Sequence, residues 1–144
     1  MGTGWTKQMS VGNKSLDAEH KNLLSMVNDM ERAINARNGD ALLRTLKLFT
    51  DAIRVHFNNE ARIAQAINYS FERHKAQHAY VLAELRGINE ISASWQGQWS
   101  ESAVEYYYHF LSEWATEHIN EDDMKLKAAL EAYPYDFNPP GQAG

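Results

Sequence analysis

Proline stands at only three positions, Pro134, Pro139 and Pro140, all within the last eleven of 144 residues. Nothing before Tyr133 therefore removes a helical N–H or drives a ring into the preceding turn, so long helices are open to almost the whole chain. Glycine is nearly as sparse in the periodic stretches. Gly87 falls inside one, where it is expected to weaken a helix near its end. Between the remaining breaks the pattern predicts four helices. The first runs from about Leu16 to Arg37 with Ser15 as N-cap, and Asp17 and Glu19 lie near the positive end of its dipole. Asn38-Gly39-Asp40 is a tight connection, with Asp40 capping a second helix that continues to about Ile67. Ser70 caps a third, to about Ile91. After a loop from Ser92 to Trp99, Ser100 caps a fourth that ends near Tyr133. Long helices joined by short loops imply antiparallel neighbours: an all-α, up-down-up-down four-helix bundle over residues 1–133. Residues 134–144 are expected to form an extended, flexible tail.

Bulk properties narrow the function. A net charge of -5 leaves no basic footprint for nucleic acid or an anionic membrane. No apolar run reaches the length of a membrane span, and Met1–Ser10 lacks the layout of a secretory signal, so a cytoplasmic location is expected. With no cysteine, disulfides, thiolate metal sites and cysteine nucleophiles are excluded. Any metal must be held by imidazole and carboxylate, which suits iron, manganese, zinc or copper.

The periodicity then poses a problem. In the second helix Leu46, Phe49, Ile53, His56, Glu60, Ile63 and Ile67 recur at alternating spacings of three and four, the buried seam of a bundle helix. Two members, His56 and Glu60, are polar and lie one above the other. The third helix reads Phe71, His74, His78, Val81, Leu85 and Ile88. The first offers His20, Leu23, Leu24, Val27 and Ile34, and the fourth Val104, Tyr107, Leu111, Trp114 and His118. A buried, unpaired carboxylate costs several kcal/mol or is driven neutral, and convergence of these groups on cations removes the penalty. Singly, each pair is an ordinary surface or hydrogen-bonding pair, and His20 alone means little. Together, five of six histidines fall on predicted seams. The sixth, His109, lies nine residues before His118, about 180° round the helix, and should face away.

The carboxylate of the fourth helix is less direct. At about 100° per residue, Asp122 lies about 40° from His118 and Asp123 about 140°. The apolar pattern instead resumes through Asp123, Leu126 and Leu130. One residue absorbed in a π-turn, a bulge frequent at functional sites, would reconcile the two. Asp123 is the expected ligand, with Asp122 the alternative.

These residues resemble the hemerythrin family, most closely its stand-alone bacterial members, from Trp5 to about Leu130. Trp5, Val11-Gly12 and Leu16-Asp17-Ala18-Glu19-His20-Lys21 look like the family's N-terminal arm and first ligand. His56-Phe57-Asn58-Asn59-Glu60 looks like its second element, Tyr69 with His74 and His78 its third, and Trp114, His118, Ile119 and Asp123 its last. The resemblance implies a non-haem pair of iron ions with an oxo or hydroxo bridge. His74, His78 and His118 would ligate one ion and His20 and His56 the other, with Glu60 and Asp123 bridging. The ion with fewer protein ligands would be open to O2. Ala61 stands where the family often has a second glutamate, at a supporting or surface position. Ala115 stands where a bulky leucine is common beside the O2 pocket, so a wider pocket and faster oxidation are expected.

The function so implied is reversible O2 binding, for storage, delivery, scavenging or sensing, by a monomer. A reductase or an O2-consuming enzyme would be its partner. With no signalling or membrane module in the sequence, storage or scavenging is favoured over direct signalling. The competing reading is a di-iron enzyme acting on peroxide or nitric oxide, or as an oxidase, for which Tyr106, Tyr107 and Tyr108 are candidate redox groups. A third is a structural or iron-handling bundle holding zinc or a labile iron pair.

Overall fold

The computed structural model describes residues 4–94 and 100–139, apart from the side chain of Asp122. Within that range a single 3-10 turn, Lys7–Met9, leads into α1 (Lys14–Asn35), α2 (Gly39–Ala66) and α3 (Glu72–Ala93). The fourth rod is α4 (Glu101–Glu117), a π-helical turn (His118–Asp123) and α5 (Met124–Leu130). α1 packs along α2 and α4, and α2 along α3, giving the expected all-α bundle. Among the described residues no helix is long and apolar enough to cross a membrane.

Capping differs from expectation in an instructive way. α1 is capped by Asn13, not Ser15: the Asn13 carboxamide accepts from the Leu16 amide at 3.1 Å and donates to the Phe137 carbonyl at 2.9 Å. α2 is capped by Asn38, not Asp40, through a 3.0 Å bond from the Ala41 amide. Asn38 takes that position because α1 ends in a Schellman motif, in which the amides of Arg37 and Asn38 return to Ile34 and Ala33. Its left-handed residue is Arg37, at φ 51°, rather than the adjacent Gly39. α2 ends the same way on Asn68, at φ 57°, with Tyr69 bonded back to Ala64. Phe71, not Ser70, stands at the start of α3, and neither it nor Ser100 before α4 caps with its side chain. α3 runs through Gly87 to Ala93, slightly beyond the expected end.

Most members of the predicted seams are buried, while Ile34, Ile67, Phe71, Tyr107 and Trp114 are half-buried. Leu46, Phe49, Ile53, His56, Glu60 and Ile63 are all buried on α2, as are His74, His78, Val81, Leu85 and Ile88 on α3. The apolar members fall into two groups. The larger takes in Val27, Met30, Leu46, Phe49, Ile53, Val81, Leu85, Val104 and Leu111 along most of the bundle. The smaller, Val11, Leu16, Ile63, Leu126 and Leu130, closes one end. On α2 the polar pair His56 and Glu60 lies between Ile53 of the first group and Ile63 of the second, so a polar layer divides the core.

The chain after Pro134 does not run out as an extended tail over its described part. Phe137 closes a turn on Pro134, Tyr135 accepts from the Lys14 amide at 2.8 Å, and Arg62 bonds the Asn138 side chain and the Pro139 carbonyl. The rest of the expected tail, 140–144, and most of the expected loop, 95–99, lie outside the described residues.

Candidate metal centre

The layer between the two apolar groups gathers all seven side chains singled out by the sequence. α1 supplies His20, α2 His56 and Glu60, α3 His74 and His78, and the fourth rod His118 and Asp123; all seven are buried. His20 Nε2 lies 2.6 Å from Asp123 Oδ2 and 3.2 Å from His56 Nε2. His118 Nε2 lies 2.8 Å from Asp123 Oδ2, 3.1 Å from Glu60 Oε1 and 3.2 Å from His56 Nε2. His78 Nε2 is 3.4 Å from Glu60 Oε1, and His74 Nε2 3.7 Å from Asp123 Oδ1. Their nitrogen and oxygen atoms form three overlapping sets: His20, His56, His118 and Asp123; Glu60, His78 and His118; and Glu60, His74 and Asp123. Glu60, His118 and Asp123 each belong to two of these sets.

The π-turn explains how Asp123 arrives. In a helix with i→i+5 bonds, residues five apart fall on one face, so the turn His118–Asp123 brings both side chains inward. The Asp122 side chain, the alternative, is outside the described residues. His109 is exposed, on the opposite side as expected, beside Glu31, Arg37 and Glu105.

Aromatic rings pack around the imidazoles. Phe57 stacks on His78 at 3.6 Å between ring centroids, Trp114 on His118 at 4.8 Å and Phe71 on His74 at 5.2 Å. Ala115 is buried in the larger apolar group, one turn before Ile119. The tyrosines named as redox candidates sit elsewhere. Tyr106 is exposed, Tyr108 donates to Glu31, and Tyr107 and Tyr108 line a crevice with Met30, Ile34 and Leu42. Tyr108 precedes His118 by ten residues, about 15 Å along the helix.

Electrostatics show what such a layer requires. Burial, opposed by the hydrogen bond to Asp123, leaves His20 below its ordinary 6.5. Burial also weighs on His56, but the charge of Glu60 and hydrogen bonds to Asp123 and Glu19 raise it well above that value. Against the same burial, Asp123 and Glu60 lift His118 to about 9. Burial would raise Glu60, yet His56 and His118 hold it well below 4.5; Asp123 is likewise held low, chiefly by His118. The imidazoles of His56 and His118 and the carboxylates of Glu60 and Asp123 thus favour one another's charged forms. Even so, Glu60 Oε2, Asp123 Oδ1 and His78 Nε2 remain buried without a hydrogen-bond partner. Orphaned buried atoms of this kind in an imidazole–carboxylate set fit bound cations, which they could ligate.

The sequence reading missed one neighbour of this layer. Glu19, taken as a dipole-favouring residue, accepts a 2.7 Å hydrogen bond from His56 Nδ1. Its position beside His20 was the available signal, but only the packing of α1 on α2 shows which imidazole it meets.

The family model described as the Hemerythrin HHE cation binding domain matches residues 11–130. The chain belongs to the hemerythrin family. Among relatives, a "Hemerythrin-like protein" of Naegleria gruberi is 26% identical over 127 residues, 88% of this chain and 92% of the relative. A "Bacteriohemerythrin" of Pseudomonas aeruginosa (strain UCBPP-PA14) is 25% identical over 120 residues, 83% and 75% respectively. The match takes in every residue of the polar layer, and the hemerythrin family's cation-binding character agrees with its chemistry.

Proposed function

We propose that the layer holds two iron ions and that the protein binds O2 reversibly, for storage or scavenging. The observation that carries this reading is the buried set of five imidazoles and two carboxylates with partnerless donor atoms at its centre. His74, His78 and His118 would hold one ion and His20 and His56 the other. Glu60 and Asp123 would lie between them, as the family resemblance implies, their carboxylates within reach of imidazoles from both groups. Reduced iron there supplies the electrons that reversible O2 binding draws on. Its protein surroundings do the rest. Five neutral ligands against two anionic ones would make a bound centre less electron-rich than a carboxylate-dominated site, which would favour binding over O–O cleavage. Phe57, Phe71 and Trp114 brace the imidazoles, and the apolar groups on either side limit water. Ala115 would leave more space beside O2 than leucine. We assign the protein to the cytoplasm as a monomer, supplied by a reductase or serving an O2-consuming enzyme.

Metal analysis of the purified protein should give two irons per chain; zinc instead would overturn the reading. Anaerobic reduction followed by air should give an absorption band that disappears on removing O2 and returns on readmission. Consumption of added peroxide or nitric oxide without such a band would favour the enzyme reading.

A further inference from the structure

His56 differs from His20 in how its outer nitrogen is held. His56 is buried and donates from Nδ1 to Glu19 Oε1 at 2.7 Å, whereas His20 Nδ1 has no partner among the described residues. A hydrogen bond to a carboxylate is shorter and stronger than one to a neutral acceptor. It also keeps a ring proton on Nδ1, so that Nε2, the atom facing Glu60, His118 and Asp123, is the nitrogen open to a cation. Glu19 is itself held. Its Oε2 accepts from Asn59 Nδ2 at 3.1 Å, and Asn59 Nδ2 also reaches Ser15 Oγ at 2.9 Å. The Asn59 carbonyl oxygen accepts from Arg62, whose guanidinium also binds Asn138 and the Pro139 carbonyl. Asn59 and Arg62 lie on α2 with His56, so one helix presents both the imidazole and the clamp on its acceptor.

We infer that Glu19 is a positioning residue for the metal centre: clamped by Asn59, it sets the tautomer and orientation of His56 and raises the basicity of its Nε2. This rests on the metal-centre reading above. A surface ion pair would not do the same work, because the His56 side chain is 0% exposed and the Glu19 side chain only 23%. Outer partners of this kind are commonly worth about 10–100-fold in metal affinity.

The test compares the full-length protein with Glu19→Ala and Glu19→Gln, loaded with iron or zinc. In the zinc-loaded wild type, 15N NMR should show His56 protonated at Nδ1 and bound through Nε2. Chelator competition should show iron affinity falling by about 10–100-fold in Glu19→Ala, with a smaller loss in Glu19→Gln, which keeps an acceptor without its charge. The iron reduction potential should rise in both variants, because a less basic imidazole favours the oxidised ion less. A purely structural role would lower thermal stability and leave potential and tautomer unmoved, which overturns the inference. So would a zinc-loaded wild type with His56 bound through Nδ1. If Glu19→Ala fails to fold, the potential of Glu19→Gln decides. A wild type that takes up no metal overturns the metal-centre reading itself, whereas a loaded wild type with indifferent variants overturns only the role of Glu19.

Discussion

The two parts of the bundle interior are built on the same helical spacing and held by opposite means. Along most of its length, Val27, Met30, Phe49, Leu85 and Leu111 interlock through side chains with no hydrogen-bonding group, and their burial stabilises each contact as soon as it forms. In the layer at His56 and Glu60 the seam positions carry groups that cost energy to bury and gain it back only collectively. One part is therefore self-sufficient and the other conditional on what it holds. Hydrogen bonds within the layer still leave four of its buried polar atoms, His20 Nδ1, Glu60 Oε2, His78 Nε2 and Asp123 Oδ1, without a partner among the described residues. A cation meets the same demand with more bonds.

The sharpest break of this comparison is at the metal. His118→Ala removes a side chain that touches both Glu60 and Asp123, so loss of at least one metal ion per chain is expected by elemental analysis, with helix content retained by circular dichroism. Chelation should lower the melting temperature without abolishing the fold. Metal at a thousandfold excess over its Kd stabilises by about 4 kcal/mol, and each kcal/mol is worth roughly 2–4 °C for a chain of this size, giving roughly 8–16 °C. Unchanged melting after complete metal removal would erase the distinction between the two parts. The converse change, Phe49→Ala, empties a fully buried position of the apolar part. It should cost about 3–5 kcal/mol in denaturant unfolding while metal stoichiometry stays at the wild-type value.

Smaller effects sharpen the comparison at the edges. If Ala115 lies beside bound O2 as proposed, Ala115→Leu should slow oxidation of the reduced protein in air; a rate no slower than wild type would overturn that assignment. Near the layer's closed end, Asp17 accepts hydrogen bonds from Ser10, the Val11 amide and Tyr135. Burial and Asp17 raise the Tyr135 hydroxyl above 10. A group whose folded pKa is raised contributes in full below its unfolded value and loses that contribution as pH climbs through the folded one. The stability gap between wild type and Tyr135→Phe should therefore be constant from neutral pH to about 10 and close above it. Smallest of all, Arg37→Gly relieves a left-handed backbone, with a gain of about 1 kcal/mol or less in unfolding free energy.

Most of the bundle and much of the layer could be read without coordinates because both obey one rule. Side chains three and four apart share a helix face, so the seams through Phe49 and Leu85 and the misplaced His56, Glu60, His74 and His78 were visible in the same pattern. Asp123 broke the ideal spacing, yet the apolar residues after it, Leu126 and Leu130, recorded the extra residue that the π-turn absorbs. The caps of α1 and α2 are not legible in the sequence because two capping residues compete at each start, Asn13 with Ser15 and Asn38 with Asp40. Asn13 prevails over Ser15 by also bonding Phe137, and Asn38 over Asp40 because the Schellman turn fixes where α2 begins.

By itself, then, the sequence determined periodicity: four rods without internal proline, apolar seams, and seven polar side chains on faces that must be buried. Tertiary structure alone decided the partners that lie far apart in the chain. It set Glu19 against His56, Arg62 against the turn after Pro134, and Tyr108 near Glu31 at a distance from the layer. Spacing along a helix specifies direction, because backbone geometry is fixed and local. Which side chain is met across the gap depends on how helices dock, and that is settled by the packing of the whole core.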